Sequence, residues 1–106
     1  MVVTSCGYAG VINILTSAQG RFPNQPLHAI VGGLHLFPSR DDQLNWTADK
    51  LKDFKVPILL GAHCTGIEAV YRIPDRLGLP RQSAVVGSVG SSFVLGEGIH
   101  AGSLAK

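Results

Sequence analysis

Three short stretches of this 106-residue chain share one design. In each, an apolar run stops at small residues and then at a side chain able to do chemistry. Val2-Val3-Thr4-Ser5 leads into Cys6-Gly7-Tyr8, residues 27–31 lead into Gly32-Gly33-Leu34-His35, and Ile58-Leu59-Leu60-Gly61-Ala62 leads into His63-Cys64-Thr65-Gly66. An imidazole nitrogen at the end of a buried strand can ligate Zn²⁺ or another divalent metal. His63 is the first candidate metal ligand and His35 the second. Cys6, Tyr8 and Cys64 are candidate pocket residues. Cys6 stands in a turn ahead of a helix, where the macrodipole favours a thiolate, although plain packing is the preferred reading. Cys64 is either part of the site or a small apolar side chain turned inward. Tyr8 is a polar wall, a proton donor or packing. Catalytic residues stay unassigned: the chain has no GxSxG elbow and no Ser-His-Asp order. The amides of Gly87-Ser88-Val89-Gly90-Ser91-Ser92 suit an anion, but no lysine follows at P-loop spacing. His28 reads as a structural histidine within a strand, His100 as solvated, and Glu68 as a surface carboxylate.

The elements that must position these residues follow from periodicity. Residues 2–5 suit a strand. Val11, Ile14, Leu15 and Ala18 recur at the spacing of an amphipathic helix, with Gly20 at its C′ position. Residues 27–31 form a second strand. Asp41 or Asp42 caps a second helix, which places Leu44, Ala48, Leu51 and Phe54 on one face. Residues 56–60 form a third strand, with Pro57 near its start. Thr65 or Gly66 opens a third helix through Ile67, Val70 and Tyr71, which Pro74 kinks or ends. Residues 84–87 and 92–95 read as two short strands, and residues 99–106 as a fraying tail. The order β-α-β-α-β-α-β-β predicts an α/β fold with a mostly parallel sheet and right-handed crossovers. Parallel strands bring their carboxyl ends to one edge. Cys6, Tyr8, His35, His63 and Cys64 would gather there.

Composition bounds the partners. Residues 1–106 suffice for a single domain with one modest core. The chain is 45% hydrophobic with mean hydropathy +0.25, rich for its length, and this points to apolar surface meant for a partner. The net charge of +2 comes from scattered basic residues, which argues against nucleic acid. No apolar stretch approaches the roughly 20 residues of a membrane span, and the N-terminus lacks a signal-peptide pattern. Two cysteines far apart in sequence read as reduced thiols, so a cytoplasmic location is expected. A core strand opening almost at Met1 raises the expectation of a truncation or an internal start.

Four blocks carry a family resemblance: Thr4-Ser5-Cys6-Gly7-Tyr8-Ala9-Gly10, Ile30-Val31-Gly32-Gly33-Leu34-His35-Leu36, Gly61-Ala62-His63-Cys64-Thr65-Gly66 and Val86-Gly87-Ser88-Val89-Gly90-Ser91. In this order they resemble the C-terminal half of metallo-β-lactamase-fold metallo-hydrolases, in the dihydropterin-type phosphate synthase branch. The resemblance covers nearly all of the chain. It implies half of an αββα sandwich, with helices on one face of the sheet and up to two metal ions at the edge shared with the other half. It implies that His63 matches a late metal ligand and His35 the histidine of the GGxHL block. The HxHxDH-type cluster of the family's first half is missing, and Tyr8 stands where the branch commonly has histidine.

Two functional expectations result. The first is a truncated, self-associating module with an incomplete metal site, inactive as an isolated chain and forming a homodimer about a two-fold axis. The second is a metal-dependent hydrolase of phosphoesters or related esters, active once joined to a complementary half or within a dimer.

Overall fold

The computed structural model describes residues 1–102, so the last four residues of the expected tail lie outside the described residues. The elements run β1 (Val2–Thr4), α1 (Val11–Arg21), β2 (Ile30–Gly33), α2 (Asp41–Asp53), β3 (Leu59–Ala62), α3 (Ile67–Leu77), β4 (Ala84–Val86), β5 (Ser92–Val94) and β6 (Gly98–His100). Single 3₁₀ turns at His63–Thr65 and Arg81–Ser83 precede α3 and β4. β1 to β4 form one fully parallel sheet in sequential order, and β5 pairs antiparallel with β6 in a separate hairpin. Sequential order with right-handed crossovers puts all three connecting helices on one face. α2 accordingly packs against both α1 and α3. The expected α/β architecture, with a parallel sheet and one helical layer, is therefore present.

Hydrophobic periodicity dictates the core. Val11 and Leu15 of α1, and Leu44, Ala48 and Leu51 of α2, are buried against Ile30 and Leu59, with Phe54 packed at the margin. On α3 the buried residues are Ala69, Val70, Ile73 and Pro74, whereas Ile67 and Tyr71 are exposed. The expected stripe through Ile67, Val70 and Tyr71 is thus rotated: Val70 stays inside, and Ala69 and Ile73 replace its two partners.

Several boundaries differ from those expected. Strands β2 and β3 begin later and run on through glycine, to Gly33 and Ala62, and in β3 the covering layer approaches Gly61 very closely. A Cβ on Gly61 would stand 2.6 Å from Val70 Cγ2 and 2.9 Å from Thr65 Cγ2. Gly20 lies inside the last turn of α1, which closes one residue later when Phe22 N–H donates to Ala18 O (2.9 Å). Arg40, not Asp41 or Asp42, is the N-cap of α2; its amide is satisfied by Gln43 Oε1 at 2.9 Å, and the two aspartates occupy the first turn. Pro74 does not end α3. The helix continues to Leu77, and Gly78 in the left-handed conformation closes it as a Schellman motif, with Gly78 N–H to Asp75 O and Leu79 N–H to Pro74 O. Part of the expected tail is strand β6. No helix among the described residues is long and apolar enough to cross a membrane.

Candidate metal centre

Cys6, His35 and Cys64 each lie two residues beyond the end of a strand: β1, β2 and β3 respectively. Because the strands are parallel neighbours, the three side chains converge on the carboxyl edge. Their ligand atoms all lie within 4.8 Å of one another. Cys6 Sγ is 3.0 Å from Cys64 Sγ and 3.7 Å from His35 Nδ1. Cys64 Sγ accepts the His35 amide at 3.3 Å and donates to Cys6 O at 3.2 Å. All three residues are half-buried.

The backbone around the group is built for close approach. A Cβ on Gly33 would lie 2.3 Å from His63 Cε1, 2.5 Å from Ser5 O and 2.8 Å from Cys64 Sγ. Glycine is therefore required at the centre of the edge, and the His63 ring and the Cys64 sulfur share the space it leaves. His35 adopts φ +50°, a left-handed conformation uncommon for a residue with a Cβ. The Leu36 and Phe37 amides both donate to Cys64 O at 3.1 Å and hold that turn in place.

Electrostatics follow from the geometry. The hydrogen bond with Cys64, partial burial and the second sulfur's charge push the Cys6 thiol above its ordinary value, opposite to the thiolate expected from the helix dipole. The hydrogen bond with Cys6, and its charge, push the exposed Tyr8 phenol up as well. Tyr8 is 78% exposed, and its ring lies 4.2 Å from that of His35, which also meets Phe37 edge-on at 5.4 Å.

Two thiols and an imidazole make a borderline-soft donor set, the type that suits zinc better than magnesium or calcium. A solved metal-dependent hydrolase of the β-lactamase superfamily superposes on 80% of the chain with a TM-score of 0.66 and 30% sequence identity. The chain has half of a metallo-β-lactamase-type fold. It spans 31% of that hydrolase's length. A curated relative, 7,8-dihydropterin-6-methyl-4-(beta-D-ribofuranosyl)-aminobenzene-5'-phosphate synthase of Methanocaldococcus jannaschii, is 25% identical over 69 residues, which is 65% of this chain and 24% of the relative. No family model matches the chain. The resemblance to metallo-β-lactamase-fold hydrolases read from the four blocks agrees with both relatives.

The half-fold brings Cys6, His35 and Cys64 together and lays Tyr8 against His35. His63 is exposed and borders the group across Gly33. Cys64 turns toward Cys6 instead of into the core. The other candidates lie elsewhere. His28 precedes β2, is exposed, and meets Phe93 edge-on at 6.1 Å, so it is not within a strand. His100 lies in β6 and pairs with Glu97 at 3.2 Å. Glu68 pairs with Arg72 on the helix surface at 2.7 Å. Ser88 and Ser91 hydrogen-bond to each other at 3.0 Å in the turn before β5.

Thr65 is the residue that sequence reasoning undervalued. It is 1% exposed, and its hydroxyl accepts the Leu34 amide at 3.1 Å and donates to Gly32 O at 3.4 Å. It thereby ties the turn carrying His63 and Cys64 to the loop carrying His35. A threonine directly after the His-Cys pair was the available signal, because a buried hydroxyl must find partners.

Proposed function

We propose that the chain is the C-terminal-type half of a metal-dependent hydrolase, and that it acts on a phosphoester or related ester only when a complementary half completes the edge. The observation that carries this reading is the convergence of Cys6, His35 and Cys64 at the carboxyl edge of a sheet similar to that of a metal-dependent hydrolase. Cys6, His35 and Cys64 would hold the ion, with zinc the best chemical fit; His63, first choice from the sequence, borders this group across Gly33 without being one of its three converging ligands. A divalent ion at such a site supplies Lewis-acid chemistry for hydrolysis. The chain's own residues do the positioning. Thr65 and the paired amides on Cys64 O fix the two ligand-bearing turns, and Tyr8, held neutral, lines the approach beside His35.

The open side of the site calls for a completing half. The donor group stands on an exposed edge with Tyr8 projecting into solvent, whereas a hollow of about 770 Å³ lies at the opposite edge, lined by Met1, Phe22, Pro26 and Phe54. Substrate would need walls that the isolated chain does not provide at the donor edge. A homodimer is the second reading. It is favoured by the apolar sheet face turned away from the helices, which a second copy could cover as well as a complementary half. Both readings place the isolated monomer in an inactive state, in a reducing cytoplasmic setting, without nucleic acid or membrane as partner.

Native mass spectrometry of the chain purified without chelators tests the proposal. Stoichiometric zinc is expected, with affinity falling more than tenfold in Cys64→Ser and in His35→Ala. A chain that stays metal-free when zinc is supplied overturns the metal reading. If the zinc-loaded chain, mixed with a complementary half, cleaves no member of an ester panel, the hydrolase reading fails.

A further inference from the structure

The two cysteines do more than face a common ligand. Their sulfurs are 3.0 Å apart and unbonded, so about 1 Å of approach separates them from the 2.05 Å of a disulfide. They belong to strand ends 58 residues apart in sequence, and the fold alone brings them together. Both are half-buried, so a small reagent can reach them. Their backbones are held by neighbouring strand ends: the Gly33 amide donates to Ser5 O at 3.2 Å, and Cys64 O accepts two amides.

We propose that Cys6 and Cys64 form a thiol–disulfide exchange site whose co-reactant is a low-molecular-weight disulfide of the glutathione type. In the first step one cysteine, as thiolate, attacks a sulfur of the oxidant. A protein–small-molecule disulfide forms, and the oxidant's own S–S bond breaks to release one small thiol. In the second step the neighbouring cysteine, as thiolate, attacks the protein sulfur of that mixed disulfide. The Cys6–Cys64 bond forms and the second small thiol leaves. The protein loses two protons and two electrons, and the oxidant gains both as two thiols. The short sulfur–sulfur distance makes the second step intramolecular and fast relative to attack by another chain. A consequence rests on the metal reading above: the disulfide removes both sulfur donors, so the oxidised chain would hold zinc far more weakly than the reduced one.

The test treats reduced, metal-free chain with oxidised glutathione and reads intact mass and non-reducing peptide maps. The expected product is a monomer lighter by two hydrogens, with the Cys6 and Cys64 peptides linked, restored by dithiothreitol. Cys6→Ser and Cys64→Ser should instead each retain one glutathione. A wild-type chain that keeps a stable glutathione adduct, cross-links between molecules or stays reduced overturns the proposal, whether or not the serine variants fold. Zinc affinity is then measured on both forms. A loss of at least tenfold on oxidation supports the linked consequence. A reduced chain that binds no zinc sinks the metal reading while leaving the exchange result standing.

Discussion

Two rows of side chains cross the same four strands, one residue apart, and are covered unequally, most of all at the β1 edge. Val2, Ile30, Leu59 and Ala84 align across the sheet and face the helices. Val3, Val31, Leu60 and Val85 form the next row and point the other way. Both rows are apolar throughout. Yet Leu59 is 0% exposed within the core, whereas Val3 is 66% exposed on its edge strand. A sheet that leaves one face in water normally alternates apolar with polar residues, and this one does not. The second row is thus composed for burial that the helical layer cannot supply. Leu60 is only 8% exposed, with Gly87 close against its side chain, but the three α-helices among the described residues all lie on the other face.

The difference between the rows can be broken experimentally. Leu59→Ala removes a side chain from the helix-covered core and should cost about 2–5 kcal/mol in chemical denaturation. Val3→Thr on the other row should cost less than about 0.5 kcal/mol in the monomer. Equal losses at the two positions would mean that the second face is already covered, by another copy. In that case Val3→Thr should also weaken association in sedimentation measurements.

Gly33→Ala sharpens the comparison at the site edge. The added methyl meets backbone oxygen as well as His63 and Cys64, so a loss of about 1–3 kcal/mol is expected, together with weaker zinc binding. A stable variant with unchanged zinc affinity would show that the edge is looser than its distances indicate. Gly78→Ala, far from both site and sheet, tests only the left-handed cap of α3 (φ +74°) and should cost about 1 kcal/mol by thermal melting without touching metal binding.

The smallest effect belongs to the surface pair of Arg76 and Asp49, which links α3 to α2 at 2.8 Å. Its hydrogen bond with Arg76 holds the Asp49 carboxyl below the ordinary carboxylate value. The folded value lies below the unfolded one, so any contribution is present above the unfolded pKa of about 4 and lost as pH falls through the folded value. Arg76→Ala should therefore change stability slightly at neutral pH and not at all in strong acid, as followed by denaturation at several pH values. A large change at neutral pH would give the helical layer a polar component that its exposure does not suggest.

Much of this was legible in the chain itself. The element order and the α2 face of Leu44, Ala48 and Leu51 follow from period and side-chain type, which act locally. The expectation that Cys6, Tyr8, His35, His63 and Cys64 gather at one edge follows from parallel topology, because every parallel strand delivers its carboxyl end to the same side; that Cys6, His35 and Cys64 are the three that converge does not. The misplacements share a cause. The strands slide into Gly32-Gly33 and Gly61 where neighbours approach closely, a demand set at Gly61 by Val70 and Thr65 and at Gly32-Gly33 by Thr4, Ser5, His63 and Cys64. Likewise α3 passes through Pro74 because packing and the Gly78 closure outweigh one missing amide.

By itself, then, the sequence determined an α/β chain with mostly parallel strands and chemistry at the strand ends, since those depend on periodicity and connection rules; the single helical layer came from the family resemblance. Only the tertiary structure decided which chemistry-bearing side chains meet. The 3.0 Å between Cys6 and Cys64, the seat of His63 across Gly33 and the buried bridge through Thr65 depend on register and turn geometry between strand ends that are 58 residues apart in the first case and about 30 in the other two. Spacing along a chain does not encode those distances; the packing of one strand end against its neighbours does.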